Sequence, residues 1–434
     1  MFVSWPSLWN NINCVDGRKI RVYLERSKSS PINLSLHRSQ GDFPFRLFFR
    51  IIPHIGRLKS LRVRGTPENV EAVAACLSHP TPLLEHLSIY AGYSNGPHNP
   101  FTLTPALFNG DISSLRTLRL EFVRTELPWR NMVNLTSFTL GYTPPGEATL
   151  GQLLDFLESA PHLREVNLRC AAPTTSAWNG RLVSLPCLKS MNISGGGRSS
   201  ILLDHLLVPV GAELTTQVPL LNSLIGEHLP RSLGNLKNFS DFTTIQLYFN
   251  ESYPRMKFSG PNGGVSMIPT SFRVDWTGSA LGYLTQLDTS KTERLEIYGG
   301  SPLSNNPLYQ ALIPMSGLRI LTLSECKRPH IFIHASDPGT SSSEVMVCPE
   351  LEELVVILCD DKTFDIASVT EMAAARASRG AKLKLVRIVD GQGENDLDLL
   401  ELREHVCNVE YGPEVGNCFQ NSWHPRTPPS TPCL

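Results

Sequence analysis

The sequence has almost no net charge: 39 lysines and arginines stand against 40 aspartates and glutamates, a formal charge of −1 over 434 residues. It also lacks any long run of like charge, so neither a nucleic-acid phosphate track nor an anionic membrane surface is an expected partner. No apolar stretch approaches membrane-spanning length, and the start MFVSWPSLWNN has neither the basic onset nor the apolar core of a secretory signal. The expectation is a soluble protein of the cytoplasm or nucleus, with the sequons at Asn134, Asn192 and Asn250 unused. Ten cysteines are scattered without a C-x-x-C pair, which predicts free core thiols in a reducing compartment.

Catalytic motifs are missing too. The glycines at 195 to 197 and the turn Asn262-Gly263-Gly264 have no following Lys-Ser/Thr and no dinucleotide-type spacing, so they read as turns. Asp390 to Asp398 is dense in carboxylates, but Gln392 and Asn395 occupy the third and sixth places of the calcium loop it would have to form. It reads as a solvated helix start. The histidines are read as forming no H-x-x-x-H pair, and there is no G-x-S-x-G elbow. No enzyme, metal or cofactor is expected.

A repeat fills most of the chain. Leu115 to Leu120, LRTLRL, has the form apolar-x-x-apolar-x-apolar, and the form returns at Leu58, Leu84, Leu135, Leu163, Leu188, Phe242, Thr292, Leu318, Leu351 and Leu383. The intervals are 26, 31, 20, 28, 25, 54, 50, 26, 33 and 32 residues, or about 27 when 54 and 50 are taken as double periods. Period-two blocks are strands, and one strand per fixed period stacks into a solenoid. The predicted fold is therefore an α/β leucine-rich-repeat solenoid, a horseshoe with parallel strands on the concave face and helices on the convex face.

Three regions follow. Residues 1–40 form an N-terminal cap, with two strand-like pieces about the turn SKSSP; 41–410 form the array, irregular over 194–270; 411–434 are a Pro-rich tail expected to be disordered. Helices are predicted from Phe43 to Ile52, from Pro67 after a Thr66 cap, from Glu147 to Ser159, from Asp365 to Ser378 with Ser368 and Glu371 as a capping box, and from Asp396 to Val406. The irregular stretch is read as one degenerate repeat, followed by a hairpin about Pro261-Asn262-Gly263-Gly264.

In each block the second and third apolar residues point inward, so their neighbours face the groove. The candidate binding residues are Arg62, Arg64, Tyr90, Arg119, Glu121, Arg169, Tyr248 and Tyr298. From Leu58 to Leu168 the groove positions hold four arginines against Glu121 and Glu165. This excess fits a partner with an acidic or phosphorylated segment; the alternative is that the arginines are solvated or pair with the two glutamates. Arg119→Asp is accordingly expected to leave stability nearly unchanged. In the last strands Ile320, Val355, Ile357, Leu385 and Val389 make the groove apolar, and residues 396 to 410 are expected to pack on or beside this end as a cap; the alternative is that the patch itself binds an apolar segment of a partner. Cys326 and Cys359 occupy the place where such repeats carry a loop-tying Asn or Cys.

WPSLWNNI followed by VYLERSKSSPINLSL resembles the junction of basidiomycete fungal F-box proteins, where the end of the F-box meets leucine-rich repeats. The SGPNG turn and TFDIASVTEMAAARASRGAKL resemble the same group. The resemblance implies the substrate-recognition part of an SCF-type ubiquitin ligase, holding an unknown protein. Four residues precede Trp5, so adaptor docking is expected only of a longer form that carries the F-box helices. The alternatives are a free-standing repeat scaffold or inhibitor, or a truncated gene prediction.

Overall fold

The computed structural model describes residues 5–13, 17–37, 49–92, 101–103, 107–110, 112–125, 132–142, 149–169, 180–194, 199–218, 233–239, 241–249, 254–269, 276–299, 305–326, 329–336, 346–358, 366–390 and 399–412. The chain forms two units, Met1–Ser240 with Pro261–Ser271 and Asp241–Gly260 with Phe272–Leu434. Both are mixed α/β.

In the first unit ten strands lie side by side: Asn11–Asn13, Ile32–His37, Leu58–Gly65, His86–Ala91, Thr117–Glu121, Ser137–Gly141, Glu165–Arg169, Ser190–Ser194, Glu213–Val218 and Gly263–Pro269. Every neighbouring pair in that order is parallel. In the second unit Thr244–Tyr248 pairs antiparallel with Arg255–Gly260. On its other side it begins a parallel run through Arg294–Tyr298, Ile320–Ser324, Glu353–Leu358, Leu385–Asp390 and Asn408–Gly412.

Register puts the same repeat position of each strand in one row. Leu87, Leu118, Phe138, Val166, Met191 and Leu214 are consecutive partners, and so are Ile89, Leu120, Leu140, Leu168, Ile193 and Thr216. The leading Leu84, Leu115, Leu135, Leu163 and Leu188 are buried beside them. Both faces of a parallel sheet cannot be apolar and open to water. Here the apolar rows meet the helices, and the alternate residues form a second, open face.

Local chemistry starts the helices. Pro67–Ala75 begins with proline at its first position, where the missing N–H costs nothing. Leu150–Ser159 opens with a reciprocal capping box between Thr149 and Gln152. In the second unit the helices Trp276–Leu284, Asn305–Leu312, Pro329–Ala335, Ile366–Ser378 and Leu400–His405 pack neighbour on neighbour. Ser368 lies buried inside its helix and is not a cap as expected.

Buried polar groups tie the loops. Arg376, fully buried, donates from Nη1 to the Val347 carbonyl (3.1 Å) and from Nη2 to that of Cys348 (2.8 Å). Its neighbourhood pushes the Cys348 thiol up to about 12, chiefly by burial. Cys326 Sγ reaches the carbonyls of Ser324 (3.6 Å) and Ile297 (3.7 Å), the loop-tying place anticipated for it; Cys359 lies outside the described residues.

Several expectations fail. Residues Gly17–Ser27 form a helix and not a strand, with Ile20, Leu24 and Ser27 buried at helical spacing. The predicted helix from Phe43 falls mostly outside the described residues. The irregular stretch holds the strand Glu213–Val218, concealed because a buried Thr216 stands where the pattern requires an apolar residue. As expected, the stretch about Pro261-Asn262 holds two strands, Arg255–Gly260 and Gly263–Pro269, on either side of a two-residue turn; each also pairs with a strand of its own unit. Gly263 permits the turn: its φ is +109°, and a Cβ there would lie 2.6 Å from the Ala212 carbonyl oxygen. Of the cap expected at 396 to 410, the described residues lie beside this end and not over its open face: Leu400–His405 packs on Ile366–Ser378 in the helix row, Asn408–Gly412 supplies backbone partners to Leu385–Asp390, and Val355, Ile357 and Val389 are half-buried.

Leu118→Ala should cost about 2–5 kcal/mol in urea unfolding, while the open-face neighbour change Ser88→Ala should cost less than about 0.5 kcal/mol. Equal losses would show the assigned strand phase to be wrong. Thr292 occupies a leucine position, fully buried, with its hydroxyl unpartnered. Thr292→Val removes that hydroxyl at constant volume, so the urea midpoint should rise, by about 1 kcal/mol in stability.

Candidate functional site

Each strand of the open face contributes three outward positions, which register sorts into a lower, a middle and an upper row along the strand direction. Across the six strands from Leu58–Gly65 to Ser190–Ser194 the middle row reads Arg62, Ser88, Arg119, Thr139, Asn167 and Asn192, and the upper row Arg64, Tyr90, Glu121, Gly141, Arg169 and Ser194. Six of the eight candidate residues therefore stand together on one face. Tyr248 and Tyr298 belong to the second unit.

Glu121 is the pivot of the first set. Its side chain is 6% exposed, and Oε1 accepts from Arg119 Nη2 (2.8 Å) and Nε (3.1 Å), with Arg169 Nη1 at 3.9 Å. Arg169 is two strands away, and the intervening residue is Gly141. A Cβ at that glycine would press on Glu121 Cγ at 3.3 Å and Arg169 Cβ at 3.5 Å, so its bare backbone is what lets carboxylate and guanidinium approach. Arg169 Nε also donates to Asn167 Oδ1 (3.3 Å). Arg62 remains exposed on the neighbouring part of the middle row.

Beside these charges runs an aromatic stack. The Arg64 guanidinium lies 4.8 Å from the Tyr90 ring centre. Tyr90 meets Phe122 edge-on at 5.1 Å, and Phe122 stacks on Tyr142 at 4.5 Å with the rings 3° from parallel. Phe122 and Tyr142 were not among the expected site residues. Each directly follows its strand and adopts left-handed φ, 58° and 55°. In that conformation their N–H groups donate to the carbonyls of Gly141 (2.9 Å) and Arg169 (2.7 Å) on the next strand. A left-handed backbone is costly for a non-glycine residue, and these bonds hold both rings at the sheet edge. The signal in the sequence is an aromatic residue just after the last outward strand position, in EFV and GYT.

The second unit organises a different cluster. Tyr248 and Tyr298 are ladder partners whose rings stack at 4.6 Å. Glu296, one position below, accepts from the Tyr298 hydroxyl (2.7 Å) and Gln246 Nε2 (2.6 Å), with Arg294 Nη1 at 3.5 Å. Burial first, then the hydrogen bond to Glu296, raises the Tyr298 phenol well above its ordinary value. Tyr248 is also raised, mainly by burial. Both phenols stay protonated; Tyr298 donates to Glu296, and the two stacked rings present a flat surface. Arg255 and Lys257 face the same way on the antiparallel neighbour, opposite Tyr248 and Gln246.

The histidine reading needs correction. His330 and His334 stand one turn apart on Pro329–Ala335, ring centres 6.3 Å apart, and do form a His-x-x-x-His pair. Among the described residues no group of three or more His, Cys, Asp or Glu side chains is placed to hold a metal ion. Among the described residues, too, no helix is long and apolar enough to cross a membrane.

Comparison with protein-family profiles and with curated proteins returns no match.

The geometry overturns one expectation about Arg119. Although half-exposed, it compensates a buried carboxylate, so Arg119→Ala should destabilise by about 1 kcal/mol or more and Arg119→Asp by still more. Arg62→Ala should leave the thermal midpoint unchanged. Coincident melting curves for Arg119→Ala and the parent chain would mean that Glu121 is satisfied without this arginine.

Proposed function

We propose that the chain is a leucine-rich-repeat protein, a horseshoe-type solenoid whose concave strand face holds a partner protein. The carrying observation is the open face itself: in-register parallel strands present arginine forks and stacked aromatic rings already oriented by Glu121, Gly141 and the left-handed Phe122 and Tyr142. Side chains fixed before binding lose little entropy on binding, and arginine and tyrosine are the residue types that dominate protein interfaces. The period of about 27 residues and the loop-tying Cys326 support the leucine-rich-repeat reading. The resemblance of the N-terminal residues to F-box proteins points to the substrate-recognition part of an SCF-type ubiquitin ligase as the setting.

A photo-crosslinking residue placed at Ser88 or Thr139, on the open face, should capture a partner in cell extract, whereas the same residue at Glu71, exposed on the helix Pro67–Ala75, should not. Equal capture from both positions would reject the face. Ubiquitin chains on the captured partner, made dependent on this chain, would place it in a ligase. A partner that stays unmodified would assign it instead as a free-standing scaffold or inhibitor.

A further inference from the structure

Resting on the reading that the open face binds protein, we propose that the first unit takes an extended, carboxylate-rich segment of its partner. The segment lies across the middle row, anchored by Arg62 and Arg119. Every member of that row, Arg62, Ser88, Arg119, Thr139, Asn167 and Asn192, can donate a hydrogen bond, and none is acidic. The exposed carboxylates of this face, Glu165 and Glu213, are both in the lower row, toward the strand starts. Among the described residues of the upper row the one carboxylate, Glu121, is buried and already occupied by Arg119, with Arg169 beside it. The middle and upper rows thus hold four arginines, Arg62, Arg64, Arg119 and Arg169, against one glutamate, an excess of three positive charges on a chain whose formal total is −1. That localisation, and not the whole-chain charge, is what a partner meets.

Spacing chooses between carboxylates and a single phosphate. Arg62 and Arg119 lie two strands apart, roughly 9.6 Å at the strand spacing of about 4.8 Å. An extended chain of the polyproline-II type rises about 3.1 Å per residue with about three residues per turn, so carboxylates at positions i and i+3 share one side and reach both anchors, whereas one phosphate would sit on only one of them. Six strands span roughly 24 Å, the length of about seven extended residues. Glu121 holds Arg119 Nε and Nη2, which fixes the plane of the guanidinium and leaves Nη1 for the ligand. The stack of Tyr90, Phe122 and Tyr142 gives the segment an apolar wall beside its charges.

The test is selection of displayed random peptides of about ten residues on the full chain, followed by polarisation measurements with labelled synthetic copies of the enriched sequences. The expected peptides carry two or more Asp or Glu three residues apart. Their binding should weaken about tenfold or more on Arg62→Glu, and again as salt rises from about 0.05 to about 0.3 M. Arg62 is exposed, so an unchanged melting curve will show that this variant is folded; Arg119→Gln is the second variant, read against its own melting curve. Acid-poor peptides whose binding is abolished by Thr139→Arg would overturn the carboxylate assignment and leave the protein-binding face standing. So would a preference of more than about tenfold for phosphoserine over glutamate at an anchoring position. Absence of any enriched peptide, or binding untouched by all three substitutions, would overturn the inference together with the reading it rests on.

Discussion

Parallel pairing in strict register is the constraint on which both units depend. Because side chains alternate along a strand, a slip of one residue would turn every outward residue inward. Register therefore determines two things together: that Leu118 and Leu120 meet Phe138 and Leu140 in the core, and that Arg119 lines up with Ser88 and Thr139 outside. The burial of the leucines, at about 25 cal/mol per Å² of apolar surface, is what makes the alignment of the polar residues dependable. A binding row on such a sheet is thus held in place by the core behind it.

The same geometry explains where strain appears. A strand that ends beside a neighbour must turn away while still satisfying its backbone. Here the residue after the strand flips to left-handed φ and donates its N–H to the next strand's carbonyl: Phe122 to Gly141, Tyr142 to Arg169, Gly299 to Ser324, and Glu325 to Ile357. Glycine does this freely at position 299. Phenylalanine and tyrosine do it at a cost, and in exchange their rings stack across strands in the first unit. The aromatic edge is therefore a consequence of the turn as much as of the side chains.

The core was legible in the sequence because leucine at a fixed phase has one reading, and the blocks from Leu58 to Leu188 bury every apolar position but Ile193, which is half-buried. Legibility failed where a residue type departed from its position. Thr216 hid the strand Glu213–Val218, and NVEYG, whose inward residues are Val409 and the part-polar Tyr411, gave a weak sign of the strand Asn408–Gly412. IRVYLERS is rich enough in β-branched and aromatic residues to pass for a strand, yet Ile20, Leu24 and Ser27 share one helical face. The outward positions of Arg62, Arg64, Tyr90, Arg119, Glu121 and Arg169 followed from phase alone. Their pairing did not, because the burial of Glu121 depends on the missing side chain of Gly141 one strand away, a relation across about twenty residues that no local pattern encodes.

The two open faces differ in how they manage polarity. In the first unit the outward rows are polar, and the single buried charge is neutralised by arginines that remain partly in water. In the second, Tyr248 and Tyr298 shield Glu296, and the rows beyond them turn aliphatic through Val355, Ile357 and Val389, each half-buried by its ladder neighbours. An aliphatic row that neighbours half cover exposes less adhesive surface than its composition implies. At its far end Arg387 bridges to Glu410 at 2.7 Å, which places a charged pair on the last two strands where an uncovered edge would otherwise invite another chain to pair. Asn408–Gly412, the outermost strand of this run among the described residues, thus does two jobs: its backbone completes the pairing of Leu385–Asp390, and its glutamate neutralises Arg387 on the open face.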